Sequence, residues 1–200
     1  MKKISILFLT ALSIAVLFSS CGKVPQAEVD AANAAIDSAK IAGADIYLIE
    51  DYAALQDSMN SINASIEAQK SKLFKNFDAV KEQLAYVTTL ATEVKSKTEA
   101  RKEEVKQEVL NVQTEVSSIL AQNNDLLTKA PRGKEGTAAL EAIKSDLSLI
   151  ESSNSEVSNM VLDGQLLPAL DKANAAKEKA LAINSELNEV IARYNKNKRR

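Results

Sequence analysis

The fold is decided by the segment FDAVKEQLAYVTTLATEV at residues 77–94, in which apolar residues return at alternating intervals of three and four. This spacing places a single apolar stripe along an α-helix of 3.6 residues per turn. The same spacing resumes at residues 105–119, and neither glycine nor proline occurs anywhere in residues 44–130. Such stretches are typical of helical proteins. The sequence therefore predicts one long helix over residues 77–129.

Four further helices are predicted from the same spacing. The first spans residues 25–42 and stops at Gly43, and the second spans residues 48–70. The fourth and fifth flank the turn Asp163-Gly164, with Pro168 in the first turn of the fifth, where a missing N–H costs little. The long helix is third in this order.

The third helix is expected to end around Asn123-Asn124-Asp125 and Pro131. Each helix has one apolar stripe that should face the core. In chain order the predicted stripes are Val29, Ala32, Ile36 and Ala39; Tyr52, Leu55, Met59, Ile62 and Ile66; Leu73, Phe77, Val80, Leu84, Val87, Ala91, Val94, Val105, Val109, Val112, Val116 and Ile119; Leu140, Ile143, Leu147, Ile150, Asn154, Val157 and Val161; and Ala169, Ala173, Ala176, Ala180, Ile183, Leu187, Val190 and Tyr194.

The break between the second and third helices has no glycine or proline to mark it. The apolar stripe of the second helix predicts apolar residues at 69 and 76, but these are Gln69 and Asn76, and the pattern restarts at Phe77. A register slip of this kind fits a tight helical hairpin, or a stutter in one continuous helix. We favour the hairpin. At its turn Phe74 and Phe77 either pack into the core, which we expect, or form a small docking patch.

Helix lengths predict the architecture. The third helix would be about 80 Å long at 1.5 Å per residue, and the first two helices cover only its first half. We predict an all-α fold, an elongated helical bundle or coiled coil of about five helices in which two helical hairpin units share a long central helix. A solvated waist is expected near residues 97–104, where Thr98 and Arg101 occupy the seam. The alternative folds the third helix at the waist into one compact bundle.

The N-terminus has the features of a secretory signal. Met1-Lys2-Lys3 precedes an uncharged apolar run over residues 4–18, which is shorter than the ~20 residues of a spanning helix. Small residues then precede Cys21, the single cysteine of the chain. This arrangement resembles the lipobox of bacterial lipoproteins, except that Phe18 stands where leucine is commonest. The resemblance implies cleavage before Cys21 and lipidation of its sulfur. Ordinary cleavage and an uncleaved anchor are the alternatives.

The tether behind this cysteine is short. Residues 22–24 alone separate Cys21 from Pro25, and extended they reach roughly 10–14 Å. We therefore divide the chain into a signal peptide (1–20), a lipidated tether (21–24), an N-terminal helical unit with the long helix (25–130), a C-terminal hairpin (131–195) and a basic tail (196–200). Gly22 stands where aspartate signals inner-membrane retention in some bacteria, which favours the outer membrane, facing the periplasm.

Composition limits the partners. Without Lys2 and Lys3 the chain has 23 basic and 27 acidic residues, so this balance does not indicate nucleic acid as a partner. One cysteine allows no internal disulfide. The chain contains no histidine, which removes the usual base near neutral pH and the commonest metal ligand. We predict no enzyme, no cofactor and no metal site.

Two polar segments are candidate binding sites. Gly133-Lys134-Glu135-Gly136-Thr137 lacks the spacing of a phosphate-binding loop and the strand before it, so we interpret it as a helix connector with Thr137 near the cap. The C-terminal residues Arg193, Lys196, Lys198, Arg199 and Arg200 are either a solvated helix end or a contact with anionic lipid, lipopolysaccharide or cell wall. Arg200 is the last residue, whereas major outer-membrane lipoproteins are linked to peptidoglycan through a terminal lysine.

Three segments carry a family resemblance. They are residues 25–29 leading to Ala39-Lys40-Ile41-Ala42-Gly43-Ala44, residues 47–55, and residues 130–137. Over residues 25–192 the chain resembles a family of alanine-rich helical bacterial lipoproteins known mainly as a domain of unknown function. The resemblance implies a helical array in the cell envelope and supplies no catalytic residues.

The sequence thus favours a lipid-anchored, non-enzymatic helical scaffold of the bacterial envelope. It would contact the membrane through its lipid and a further envelope protein or the cell wall through its helices. The alternative is a periplasmic carrier of a hydrophobic or anionic ligand, which a pocket lined by several large apolar residues would favour. Self-assembly through the third helix is a third hypothesis.

Overall fold

The computed structural model describes residues 22–131 and 136–198, and all the regular elements in these ranges are α-helices. The predicted all-α fold is confirmed. The signal peptide, Cys21, Arg199 and Arg200 lie outside the described residues. The helices are α1 (Gln26–Ile41), α2 (Ala44–Tyr47), α3 (Ile49–Lys70), α4 (Asp78–Lys129), α5 (Gly136–Leu162) and α6 (Leu166–Lys198).

The chain reverses after α1 at Gly43, as the sequence predicts. Gly43 has φ 98°, a left-handed conformation that other residues rarely adopt, and its N–H donates to the carbonyl of Lys40 at 2.7 Å. The one-turn helix α2 follows directly and was not predicted. It is too short to show an apolar period, and Leu48, with φ −138° and ψ 58°, separates it from α3.

The described residues divide into two compact units between Arg101 and Lys102. In the N-terminal unit, α1, α3 and the first half of α4 enclose one core. All five stripe residues predicted for the second helix are buried in α3. The core consists of Ala32, Ile36, Ala39, Ala44, Tyr52, Leu55, Met59, Ile62, Ile66, Phe77, Val80, Leu84, Val87, Ala91 and Val94.

A helical hairpin joins α3 to α4, so the alternative of one continuous helix is wrong. We call residues 71–77 the hairpin loop. At its end the Asn76 side-chain oxygen accepts the N–H of Asp78 at 2.8 Å, which satisfies one of the free donors at the start of α4. Phe77 is buried, as expected, but the stripe prediction is wrong for Leu73, which is 92% exposed. Leu73 lies beyond the last turn of α3, so no helix faces it.

In the C-terminal unit, the second half of α4 packs with α5 and α6. The hairpin of α5 and α6 turns at Gly164, which has φ 76°. Four alanines on one face of α6 are at most 3% exposed, so the backbones approach closely there. The core residues form two clusters: Val116, Leu120, Ala130, Ile143, Leu147, Ile150, Ala176, Ala180, Ile183 and Leu187, and beside them Val109, Val157, Ala169 and Ala173.

α4 ends at Lys129, as the sequence predicts. Asn123, which was expected among the residues that mark this end, lies inside the helix and is fully buried. Its side-chain N–H donates to the carbonyl of Ala180 at 2.7 Å, and its side-chain oxygen accepts from Asn184 at 2.7 Å. A buried amide with both ends satisfied tolerates little sliding of one helix along another, because a shifted register would leave it unpaired.

Asn154 connects α4 to α5. Its side-chain N–H donates to Ser117 Oγ at 3.3 Å, and Gln113 donates to the Asn154 carbonyl at 2.9 Å and to Ser158 Oγ at 2.9 Å. Unlike that of Asn123, the buried side-chain oxygen of Asn154 has no hydrogen-bond partner among the described residues. The position joins two helices through polar groups and keeps one unsatisfied acceptor, so the register-fixing role stays a prediction.

The segment predicted as a solvated waist lies inside α4, which is helical throughout residues 78–129. The solvated character is wrong at Thr98, which is fully buried and whose hydroxyl donates to the Val94 carbonyl at 2.7 Å. This internal bond lets a threonine occupy a buried seam position, because its one donor is satisfied within its own helix.

Replacing the buried asparagine tests the register contact. We expect Asn123→Ala to lower the free energy of unfolding by about 1–3 kcal/mol, because Asn184 loses its buried partner. The matched control is Asn124→Ala, at the exposed neighbouring position of α4, which should change stability by less than about 0.5 kcal/mol. Urea unfolding followed by circular dichroism measures both, and equal effects would contradict the assignment.

Candidate functional site

The predicted basic cluster lies at the end of α6. Arg193, Lys196 and Lys198 are all exposed, and Arg193 pairs with Glu189 at 3.2 Å. Successive helical residues are about 100° apart, so Arg193 and Lys196 lie about 60° apart while Lys198 lies about 140° from Arg193. The three described cations are therefore distributed around the helix rather than gathered on one flat face.

The helix end is exposed because α6 outlasts its partner. α5 has 27 residues and α6 has 33, so the last six residues of α6 have no facing residue in α5. Tyr194, predicted to continue the core stripe, lies in this overhang and is 49% exposed. Val190 lies before the overhang and is 38% exposed, while the neighbouring Ile191 packs against the core. The stripe prediction is wrong at Val190 and Tyr194.

An open groove of about 570 Å³ lies between α5 and α6. Three large apolar side chains line it, Leu149, Ile150 and Ile183, together with alanines of α6. Leu149 is 65% exposed, so the groove opens to solvent. Charged groups border it: Lys179 is exposed and has no ion pair in the described part of the chain, and Lys172 pairs with Glu156. This is a surface groove with an apolar floor and charged edges.

The hairpin loop of the N-terminal unit is the small patch that the sequence offered as the alternative to core packing. Leu73 is 92% exposed and Phe74 is 88% exposed, and Lys72 and Lys75 flank them. Phe74 was expected in the core, and that prediction is wrong. The register slip at Gln69 and Asn76 already indicated a turn here. Two large apolar residues in a seven-residue turn, with Phe77 taking the core position, were the signal for an exposed apolar tip.

Two further kinds of site, a metal-binding cluster and a membrane-spanning helix, are absent from the described residues. No group of three or more histidine, cysteine, aspartate or glutamate side chains in residues 22–131 and 136–198 is arranged to hold a metal ion. Within the same ranges, none of the helices combines the length and the apolar character needed to cross a membrane.

Comparisons with protein-family models, with curated protein sequences and with solved structures find no match for this chain. The resemblance to the alanine-rich lipoprotein family therefore stays a prediction.

Removing the apolar tip should leave the fold intact. We expect the double variant Leu73→Ser/Phe74→Ser to change the free energy of unfolding by less than about 0.5 kcal/mol, because both side chains are already in water. Phe77→Ala, three residues further on and 3% exposed, should cost about 3–5 kcal/mol. Urea titration of both variants checks this, and a large loss in the double variant would mean that the tip is packed.

Proposed function

We propose that this chain is a lipid-anchored, non-enzymatic helical scaffold of the bacterial cell envelope. The observation that carries the proposal is the lone Cys21, which stands directly behind a basic start and an uncharged apolar run of residues 4–18. A diacylglyceryl group on the sulfur and an acyl group on the new N-terminus would hold the chain durably, since each buried methylene contributes ~0.8 kcal/mol.

The start of the fold supports anchoring at close range. The N–H of Gln26 donates to the Val24 carbonyl at 2.8 Å, and Val24 packs against the core of the N-terminal unit. Ordered structure thus begins three residues after Cys21. A lipid at that position would keep the N-terminal unit at the bilayer surface and would leave no long flexible linker.

The packing of the cores supports a scaffold that positions a partner, rather than an enzyme. The buried residues of both units are mostly alanine, valine, leucine and isoleucine, which fill narrow seams between helices. The apolar floor and charged edges of the α5–α6 groove suit the helix of an envelope partner. We place the protein at the outer membrane, facing the periplasm, on the basis of Gly22 behind the cysteine.

The same groove favours a second candidate function, carriage of a hydrophobic or anionic ligand. Its apolar floor and Lys179, which has no ion pair among the described residues, offer both kinds of contact. The two functions differ in what stays bound to the protein when it is isolated. A carrier isolated from membranes holds a small molecule in native mass spectrometry, whereas a scaffold holds a polypeptide that crosslinks to α5 or α6.

Metabolic labelling tests the anchor. We expect radiolabelled palmitate to enter the wild-type protein, and Cys21→Ser to abolish the label, because the thiol is the acceptor of the diacylglyceryl group. The matched control is Ser19→Ala, which keeps a small residue before the cysteine and should keep the label. An unlabelled wild-type protein, or equal labelling of the Cys21→Ser variant, would overturn the proposal.

A further inference from the structure

The hairpin loop exposes more apolar surface than its place in the fold explains. The side chains of Leu73 and Phe74 are almost entirely in water, while the next aromatic residue, Phe77, is buried. The loop is seven residues long and is fixed at both ends by helices, α3 before it and α4 after it. The two apolar side chains therefore project from a rigid helical hairpin rather than from a long flexible loop.

The loop lies at the same end of the N-terminal unit as the start of the described chain. α1 and α3 are joined by residues 42–48 and pack in one core, so they run antiparallel. α1 has 16 residues and α3 has 22, so α3 extends about 9 Å beyond the start of α1. The described chain starts at this same end, with Gly22 in a turn, Lys23 in a bend and Val24 packed against the core. Cys21 directly precedes these residues in the sequence, so a lipid on its sulfur would be held at the end of the unit that carries the hairpin loop.

The lysines around the tip indicate which kind of surface it binds. Lys72 and Lys75 are exposed and form no ion pair within residues 22–131 and 136–198, whereas Lys70 is paired with Glu67 at 2.7 Å. Lys23 adds a further exposed cation at the start of the chain. Unpaired lysines beside exposed leucine and phenylalanine complement a surface that is anionic outside and apolar beneath, as a bilayer of anionic lipids is.

The size of the tip argues against a protein as its partner. A stable protein interface buries about 800 Å² on each side, supplied by some 20–30 residues. Here two apolar side chains stand alone among polar neighbours, since Ser71 and Asn76 complete the exposed loop. A lipid surface needs no complementary shape, and so two side chains are enough to insert into it.

We propose that the hairpin loop is a second membrane contact, in which Leu73 and Phe74 insert into an anionic bilayer while Lys72 and Lys75 remain at the lipid phosphates. The proposal rests on the lipid anchor at Cys21 for its position at the membrane. Two contacts side by side restrict rotation about the tether, so the loop sets the orientation of the N-terminal unit that a single lipid leaves free.

A single tryptophan reports the insertion directly, because the chain contains none. Phe74→Trp is placed in the acylated full-length protein and reconstituted with vesicles of phosphatidylethanolamine and brominated phosphatidylglycerol. We expect bromine to reduce its emission about twofold or more, since the indole lies at the acyl boundary. The matched control is Tyr86→Trp, at a residue that is 66% exposed on α4, and it should be unaffected.

The unacylated Cys21→Ser chain tests the charges separately. Sedimentation with phosphatidylglycerol vesicles should show binding that Lys72→Glu/Lys75→Glu weakens about tenfold or more. Lys40→Glu/Lys97→Glu makes the same change in net charge at exposed lysines outside the loop and should have little effect. Leu73→Ser/Phe74→Ser should weaken binding to a similar extent.

The outcomes separate this proposal from the anchor. Palmitate labelling with an unquenched Phe74→Trp overturns the loop contact and leaves the anchor standing. Absent labelling, with vesicle binding that depends on Leu73 and Phe74, supports the loop contact and overturns the anchor. An unacylated chain that does not bind anionic vesicles, or a photocrosslinker at residue 74 that captures a protein and no lipid, overturns the loop contact.

Discussion

The structure depends on α4, a single helix that contributes buried side chains to the cores of both units. α4 contributes Val80, Leu84, Val87, Ala91 and Val94 to the core of the N-terminal unit, and Val109, Val116 and Leu120 to the cores of the C-terminal unit. Its apolar stripe keeps the alternation of three and four on both sides of residues 95–104, of which seven are charged. Helical hydrogen bonding must therefore persist through a segment that has little apolar burial of its own.

The narrow seams explain why the core was predictable from the sequence. A helix that is buried on one stripe repeats its apolar residues with its own period, so the stripes of α1, α3, α5 and most of α4 and α6 were predicted correctly. Two errors lie where a helix loses its neighbour. Leu73 lies past the end of α3, and Tyr194 lies in the part of α6 that outlasts α5, so the apolar period continues there without a facing helix. Val190 lies before that part, and the neighbouring Ile191 packs against the core instead.

Polar residues inside the stripes were harder to interpret. Asn123 was expected among the residues that mark the end of the long helix, yet it is buried inside α4 and joins α4 to α6 through the Ala180 carbonyl and Asn184. A sequence alone does not show whether a polar residue is satisfied by solvent or by a neighbouring helix. Such residues fix the axial alignment of one helix against the next, because two helices packed through alanines shift along each other more easily than helices packed through large interdigitating side chains.

The two candidate membrane contacts have different origins. Cys21 is indicated by sequence alone, because a signal peptide and the residues before the cysteine form a linear pattern. The hairpin loop required the fold, because only packing shows that Phe77 takes the buried position and leaves Leu73 and Phe74 outside. The antiparallel path of α1 and α3 then brings the hairpin loop to the end of the N-terminal unit at which the described chain starts. A lipid and a short apolar tip together would hold a helical unit in a defined orientation.

Amide hydrogen exchange across α4, followed by mass spectrometry, tests the central claim most directly. A single helix that serves both cores predicts that residues 95–104 exchange about tenfold or more slowly than an unstructured peptide of the same sequence. Exchange at the unstructured rate in this segment, with strong protection of residues 80–94 and 105–120 on either side, would contradict a continuous helix.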